Sequence, residues 1–182
     1  MESHAEVDVT ALAVDEADPT DAELAAYVGP HAAYYVERWS RGGRWGFNWA
    51  ACFLGVLWLA YRGLWRIFAA MLAIIVAASA AYALLARSPM RDDDAIYDLR
   101  LVVGFALAVI IGQRANYWYY RRADRAVADT RARSLVEHER LALLRRLGGT
   151  SWLRVAAALV IMGLTLFAAG VAFAMLGLRA TG

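Results

Sequence analysis

Residues 46–68 read GFNWAACFLGVLWLAYRGLWRIF, a stretch that combines an apolar run with tryptophans and arginines. The apolar run 47–61 holds only about fifteen residues, whereas a helix needs roughly twenty to cross the hydrocarbon core of a bilayer. Trp49 and Trp58 lie along this run, and tryptophan prefers the headgroup region of a membrane. The pattern therefore predicts an interfacial or re-entrant aromatic helix over 46–66.

The second half of this stretch carries aromatic and basic residues at helical spacing. Trp58, Tyr61 and Trp65 recur on one face, and Arg62 and Arg66 lie one turn apart beside them. A row of guanidinium groups next to aromatic rings is expected at the level of lipid phosphates, so the lipid bilayer and its anionic headgroups are the predicted partners. A membrane anchor is the simplest interpretation, and a ligand or protein-partner site is the alternative.

The chain downstream contains three candidate spans, namely 67–86, 95–112 and 155–178. The second has a short fully apolar part, 101–111, because Asp98 and Arg100 lie near its start. Hydrophobic residues make up 61% of the 182 residues, which is more than a soluble domain of this size carries. We therefore expect an all-α, multi-pass integral membrane protein with three spans. The small residues Gly104 and Ala108 sit at four-residue spacing in the second span, a pattern typical of helix packing within one chain or in a homo-oligomer.

The N-terminal region has a different composition. Residues 1–29 contain eight acidic residues and neither arginine nor lysine, which is typical of a largely disordered tail. A helix is expected to begin at Thr20 or Asp21 and to break at Gly29 and Pro30. The membrane domain is then expected over 30–182.

The distribution of arginine predicts the topology. The segment 113–154 carries ten of the nineteen basic residues against four acids, so it is expected in the cytoplasm. With three spans the N-terminus is then also cytoplasmic, and the loop around 87–94 faces outward. If 47–61 crossed the membrane as well, the acidic tail would have to lie on the opposite side.

Residue patterns for catalysis, metal binding and cofactor binding are absent from the sequence. The three histidines are scattered, Cys52 is the single cysteine, and neither a GxSxG motif nor a phosphate-binding loop occurs. We therefore predict no catalytic residue, no metal and no cofactor, and we favour a non-enzymatic protein. Asp98 and Arg100, at the start of the second span, support an alternative function as a small transporter or channel component.

The segment RANYWYYRRADRAVADTRAR, which starts at Arg114, interleaves arginine with aromatic residues. Such a pattern can bind single-stranded nucleic acid. Because the segment follows directly on a span, we interpret it as an aromatic belt with an arginine anchor, and nucleic acid is not a predicted partner.

The motif FNWAA, followed by Trp58 and by Tyr61 and Arg62, resembles the bacterial membrane family catalogued as domain of unknown function 2628. The resemblance extends from about residue 27 to about residue 120. The matching residues are Tyr34, Tyr35, Trp39, Phe47, Asn48, Trp49, Ala50, Ala51, Trp58, Tyr61, Arg62, Gly112, Asn116 and Tyr117. The resemblance implies a small multi-pass protein of the bacterial inner membrane, without an assigned activity.

These observations favour one functional hypothesis over the transport alternative. The chain is predicted to be a membrane module that binds a lipid or a protein partner. Polar and aromatic residues are dense within a short apolar run, and they are the predicted binding residues: Asn48, Trp49, Trp58, Tyr61, Arg62 and Asn116.

Overall fold

The computed structural model describes residues 18–88 and 92–179, with side chains up to residue 175. Within these residues the regular structure consists of eight α-helices and the 3-10 helix Gly43–Trp45, and no strand occurs. The helices are α1 (Asp21–Val28), α2 (Ala32–Ser40), α3 (Trp49–Leu54), α4 (Val56–Tyr61), α5 (Trp65–Leu85), α6 (Asp93–Arg131), α7 (Glu137–Leu147) and α8 (Trp152–Arg179). The predicted all-α class is confirmed.

Among the residues that the structure describes, three segments are long and apolar enough to cross a membrane: α5, α6 and the segment Glu137–Met175, which includes most of α8. The second contains the predicted span 95–112, and the first and third overlap the predicted spans 67–86 and 155–178 except for their last residues. Most of their apolar side chains are exposed in the isolated chain, as expected for surfaces that face lipid.

The second of these helices differs from the prediction in length. The sequence predicted a span over 95–112, whereas α6 runs without interruption through 39 residues to Arg131. Residues 113–131 contain no glycine or proline, and ten of these nineteen residues are the good helix formers Ala, Arg and Gln. Hydropathy therefore indicates where α6 stops being apolar, but it does not indicate where the helix ends.

The aromatic stretch also differs from the single helix predicted over 46–66. It forms the two short helices α3 and α4, which meet at Gly55, and a further turn at Gly63 precedes α5. Both glycines adopt positive φ, 55° and 72°. Left-handed backbone of this kind interrupts a helix, and glycine adopts it at little cost.

The chain divides into two compact units. Unit 1 comprises Met1–Arg44 and Tyr120–Gly149, and unit 2 comprises Trp45–Tyr119 and Thr150–Gly182. Helix α6 contributes its first 27 residues to unit 2 and the remainder to unit 1.

Unit 1 contains α1, α2, the last three turns of α6, and α7. The expected start and end of α1 are both confirmed, because Thr20 caps the helix in a capping box with Glu23 and the helix stops at Gly29. Helix α1 packs on both α2 and α7. The buried side chains of this unit include Tyr27, Val28, Tyr35, Trp39, Tyr120, Val127 and Leu144.

Gly148, at the end of α7, allows the close approach of α7 and α1. A Cβ at this position would overlap the carbonyl oxygen of Tyr27 and would lie 2.7 Å from its carbonyl carbon. The same carbonyl oxygen accepts a 2.8 Å hydrogen bond from the backbone N–H of Gly149. This part of unit 1 is therefore held by direct backbone contact, which only glycine permits.

Unit 2 contains α3, α4, α5, α8 and the first part of α6. Helix α4 packs on the beginnings of both α5 and α8, and α5 and α8 pack on each other. Near the far ends of these two helices, the Arg87 guanidinium lies 3.8 Å from the ring centre of Phe173 and donates to the Phe173 carbonyl. The short aromatic helices thus lie at one end of the three apolar helices.

Candidate functional site

Two of the predicted binding residues, Asn48 and Asn116, form a buried hydrogen-bonded pair in unit 2. The Asn48 side chain accepts a 2.9 Å bond from the backbone N–H of Ala51, which caps α3. Its amide nitrogen donates to the side-chain oxygen of Asn116 at 2.9 Å. The Asn116 amide nitrogen in turn donates to the carbonyl of Gly46 at 2.6 Å. Both asparagines therefore hold the start of α3 against α6.

The backbone around this pair is packed equally closely. The backbone N–H of Asn48 donates to the carbonyl of Gly112 at 2.8 Å. A Cβ at Gly112 would lie 2.7 Å from the Phe47 ring and 2.9 Å from the Cβ of Cys52. The residue is thus a point of close approach between α6 and the segment 47–52.

Arg62 lies inside an aromatic cluster of unit 2. Its side chain donates a 3.3 Å hydrogen bond to the hydroxyl of Tyr119, and its guanidinium lies 4.8 Å from that ring centre. The rings of Trp58 and Tyr61 are within 6 Å of the same guanidinium. Arg62 is only 5% exposed, so its predicted place in an exposed row beside Arg66 is wrong. Its guanidinium is held by tyrosine and tryptophan faces instead.

The six predicted residues therefore separate into two interior groups and one surface residue. The asparagine pair forms one group, and Trp58, Tyr61 and Arg62 form the other. Trp49 is different, because 66% of its surface is exposed. A binding role for these six residues stays a prediction. Trp49 is the most exposed of them, and Tyr61 is half-buried.

Trp49 belongs to a set of exposed aromatic residues that we call the aromatic rim, defined as Trp45, Trp49, Phe53 and Trp152. Trp49 contacts Phe47 edge-on and stacks on Phe53, which is 80% exposed. Trp45 stacks on Tyr117 with ring centres 4.3 Å apart, and the exposed Arg114 lies over the Trp45 ring. Trp152, at the start of α8, contacts Tyr61.

The rim therefore lies on and beside the short helices, because Trp49 and Phe53 belong to α3 and Trp152 contacts Tyr61 at the end of α4. Large exposed aromatic rings beside an arginine are typical of a surface that meets lipid headgroups.

A second polar cluster lies in unit 1 and was not predicted from the sequence. Glu23, only 2% exposed, accepts hydrogen bonds from Arg131 at 2.6 and 3.1 Å, and Arg140 lies 3.2 Å away. Burial disfavours the charged carboxylate, but the hydrogen bonds from Arg131 and Thr20 outweigh it, so the pKa of Glu23 lies below its usual range. The pattern Thr20-x-x-Glu23 indicated a helix start, but nothing in it indicated the arginine partners.

The residues behind the transport alternative lie at the surface. Asp98 and Arg100 are both exposed in the first turns of α6, and Arg100 lies 5.3 Å from the ring centre of Tyr82. Across residues 18–88 and 92–179, no three histidine, cysteine or acidic side chains come close enough to hold a metal ion. Cys52 is a free, half-buried thiol.

Comparison with known proteins adds a family to this description. The family described as protein of unknown function (DUF2628) matches residues 24–125, which is more than half of the chain. The chain belongs to this family. No curated protein and no solved structure is significantly similar to it.

The DUF2628 match extends from α1 to within two turns of the end of α6, so it includes all six predicted binding residues. It confirms the family that the FNWAA motif indicated. Helices α7 and α8 lie beyond the matched residues, and so do Arg131 and Arg140, the two partners of Glu23.

Proposed function

We propose that the chain is a non-enzymatic module of the bacterial inner membrane whose aromatic rim binds anionic lipid headgroups. The observation that carries this proposal is the position of the rim. Trp49 and Phe53 are exposed on α3, Trp45 precedes that helix, Trp152 begins α8, and the exposed Arg114 lies 5.2 Å from the ring centre of Trp45. A tryptophan ring matches the interfacial region of a bilayer, and an arginine beside it can pair with a phosphate.

The buried residues have a supporting role in this proposal. Asn48, Asn116 and Arg62 are already engaged with protein groups, so they orient α3 and α4 and thereby present Trp49 and Phe53. A protein partner at the same rim is the competing possibility, and the lipid experiment separates the two.

Arg114→Gln is expected to lower the preference for phosphatidylglycerol over phosphatidylcholine by about fivefold, because one arginine contributes about 1 kcal/mol near an anionic surface. The protein would be extracted in mild detergent from vesicles that contain both lipids. Native mass spectrometry would then count the lipids that remain bound. Trp49→Ala is expected to reduce the total bound lipid of both kinds.

Two variants serve as matched controls for this measurement. Arg114→Lys keeps the charge, and Gln113→Ala changes an exposed neighbour on the same helix, so both should retain the wild-type preference. If Arg114→Gln and Trp49→Ala bind lipid as the wild type does, the rim is not a lipid site and a protein partner becomes the better explanation.

We also infer that the N-terminus lies in the cytoplasm, because the segment 113–154 carries ten arginines and four acids. The test replaces Cys52 with serine and introduces a single cysteine at Ser88 or at the exposed Ala132. In intact bacterial cells a membrane-impermeant thiol reagent should label position 88 and should label position 132 only after permeabilisation. Labelling of position 132 in intact cells would reverse the topology.

A further inference from the structure

The first described residue, Asp18, is held against two arginines of unit 1. Its backbone carbonyl accepts a hydrogen bond from Arg131 at 3.4 Å, and its carboxylate lies 4.0 Å from Arg44. Arg44 in turn lies over the ring of Tyr120, 4.1 Å from its centre. Asp18 therefore lies beside the last turns of α6, which belong to the same unit.

Arginines continue from this point along the exposed side of α6. Arg121 and Arg125 are exposed one turn apart, and Arg121 follows directly on Tyr120, whose ring Arg44 covers. We call Arg44, Arg121 and Arg125 the arginine surface. Residues 120–133 contain five arginines and two aspartates, so this part of unit 1 is positively charged.

The segment that precedes Asp18 has the complementary charge. Residues 1–17 contain Glu2, Glu6, Asp8, Asp15 and Glu16 and no arginine or lysine. Fully extended, seventeen residues span about 55 Å, so the segment can reach every arginine of this surface. Because it is tethered at Asp18, its effective concentration there is on the order of millimolar.

We propose that the acidic segment 1–17 binds the arginine surface of unit 1. The binding is the sum of several carboxylate–guanidinium contacts and needs no specific site. Each exposed pair is individually weak and is screened by salt. This inference does not depend on the lipid site proposed for unit 2.

The test measures the distance between the segment and the arginine surface in the full chain. With Cys52 replaced by serine, spin labels are placed at Ser3 and at the exposed Ala128 of α6. The distance is measured by pulsed electron–electron double resonance at low salt. A free coil of seventeen residues has a root-mean-square end-to-end length of about 23 Å and a correspondingly broad distance distribution. If the segment is bound, the measured distribution should be roughly half as wide. Raising the salt concentration to half-molar should broaden it.

Charge variants decide whether the segment binds through its acids. Changing all five acids to amides, or changing Arg121 and Arg125 to glutamine, should broaden the distribution at low salt. A variant in which residues 1–17 keep their composition but are shuffled in order should retain the narrow distance distribution. If the amide variant and the wild type give the same distribution, the proposal is wrong. A mixture of singly labelled chains that yields the short distance would overturn it as well, because the segment would then bind a second copy.

Discussion

Glu23→Gln is expected to lower the free energy of unfolding of unit 1 by about 3 kcal/mol at pH 7, because removing one partner of a buried ion pair leaves the other charges uncompensated. Gln keeps the shape of the side chain and can still bond to Thr20. It cannot neutralise Arg131 and Arg140, whose side chains are only 15% and 27% exposed. The loss therefore reports the charge of the cluster rather than its packing.

The pH dependence of the wild type follows from the lowered pKa of Glu23. A carboxyl group whose pKa is lower in the folded state contributes its full stability above the unfolded value of about 4.3. That contribution is lost as the pH falls from there through the folded pKa, because the unfolded chain binds the proton first. In Glu23→Gln this component of the acid destabilisation should be absent.

Amide hydrogen exchange of α1 and α7 measures this effect, after correction for intrinsic exchange rates. A loss of about 3 kcal/mol corresponds to exchange faster by roughly 100-fold. Asp21→Asn is the matched control, since Asp21 is exposed in the first turn of the same helix. It should change exchange by about twofold. Equal protection in the two variants would contradict a stabilising role for the cluster.

Asn116→Ala is expected to destabilise unit 2 by about 2–3 kcal/mol. The substitution removes the hydrogen bonds to Asn48 and to the carbonyl of Gly46, and it leaves the Asn48 amide buried without this partner. It also leaves a void, because the Asn116 side chain is fully buried. The start of α3 should lose its attachment to α6.

Denaturation in mixed micelles, followed by near-ultraviolet circular dichroism of the tryptophans, measures this loss. Gln113→Ala lies three residues away on the exposed side of α6 and should stay within about 0.5 kcal/mol of the wild type. Asn48→Ala combined with Asn116→Ala should cost less than the sum of the single changes, because the two residues share a hydrogen bond. Strict additivity would mean that the pair is not coupled.

The helices themselves could be predicted from the sequence with little more than local rules. Apolar length located the three helices that are long enough to cross a membrane, and Thr20 marked the start of α1. Their ends were less predictable. At residue 113 the composition of α6 changes from apolar to charged, but the helix continues to Arg131. Helix propensity and hydropathy are separate properties, so one does not predict the other.

The sequence also singled out Asn48, Arg62 and Asn116, but it could not indicate their environments. An asparagine in an apolar run is equally compatible with a surface side chain that contacts a ligand and with a buried side chain that caps a helix. The bond between Asn48 and Asn116 joins residues 68 positions apart, and the Arg62–Tyr119 bond joins residues 57 apart. Only the packing of α3 and α4 on α6 brings these groups within hydrogen-bonding distance.

The sequence by itself determined the all-α class, three apolar helices, the family and the asymmetry of charge. These properties depend on composition and on neighbours within a few turns. The tertiary structure alone decided that Arg62 is buried, that Trp49 is exposed, and that Glu23 meets two arginines more than 100 residues away. Burial and pairing depend on which helix faces lie against each other, and a hydrophobic pattern permits many such arrangements.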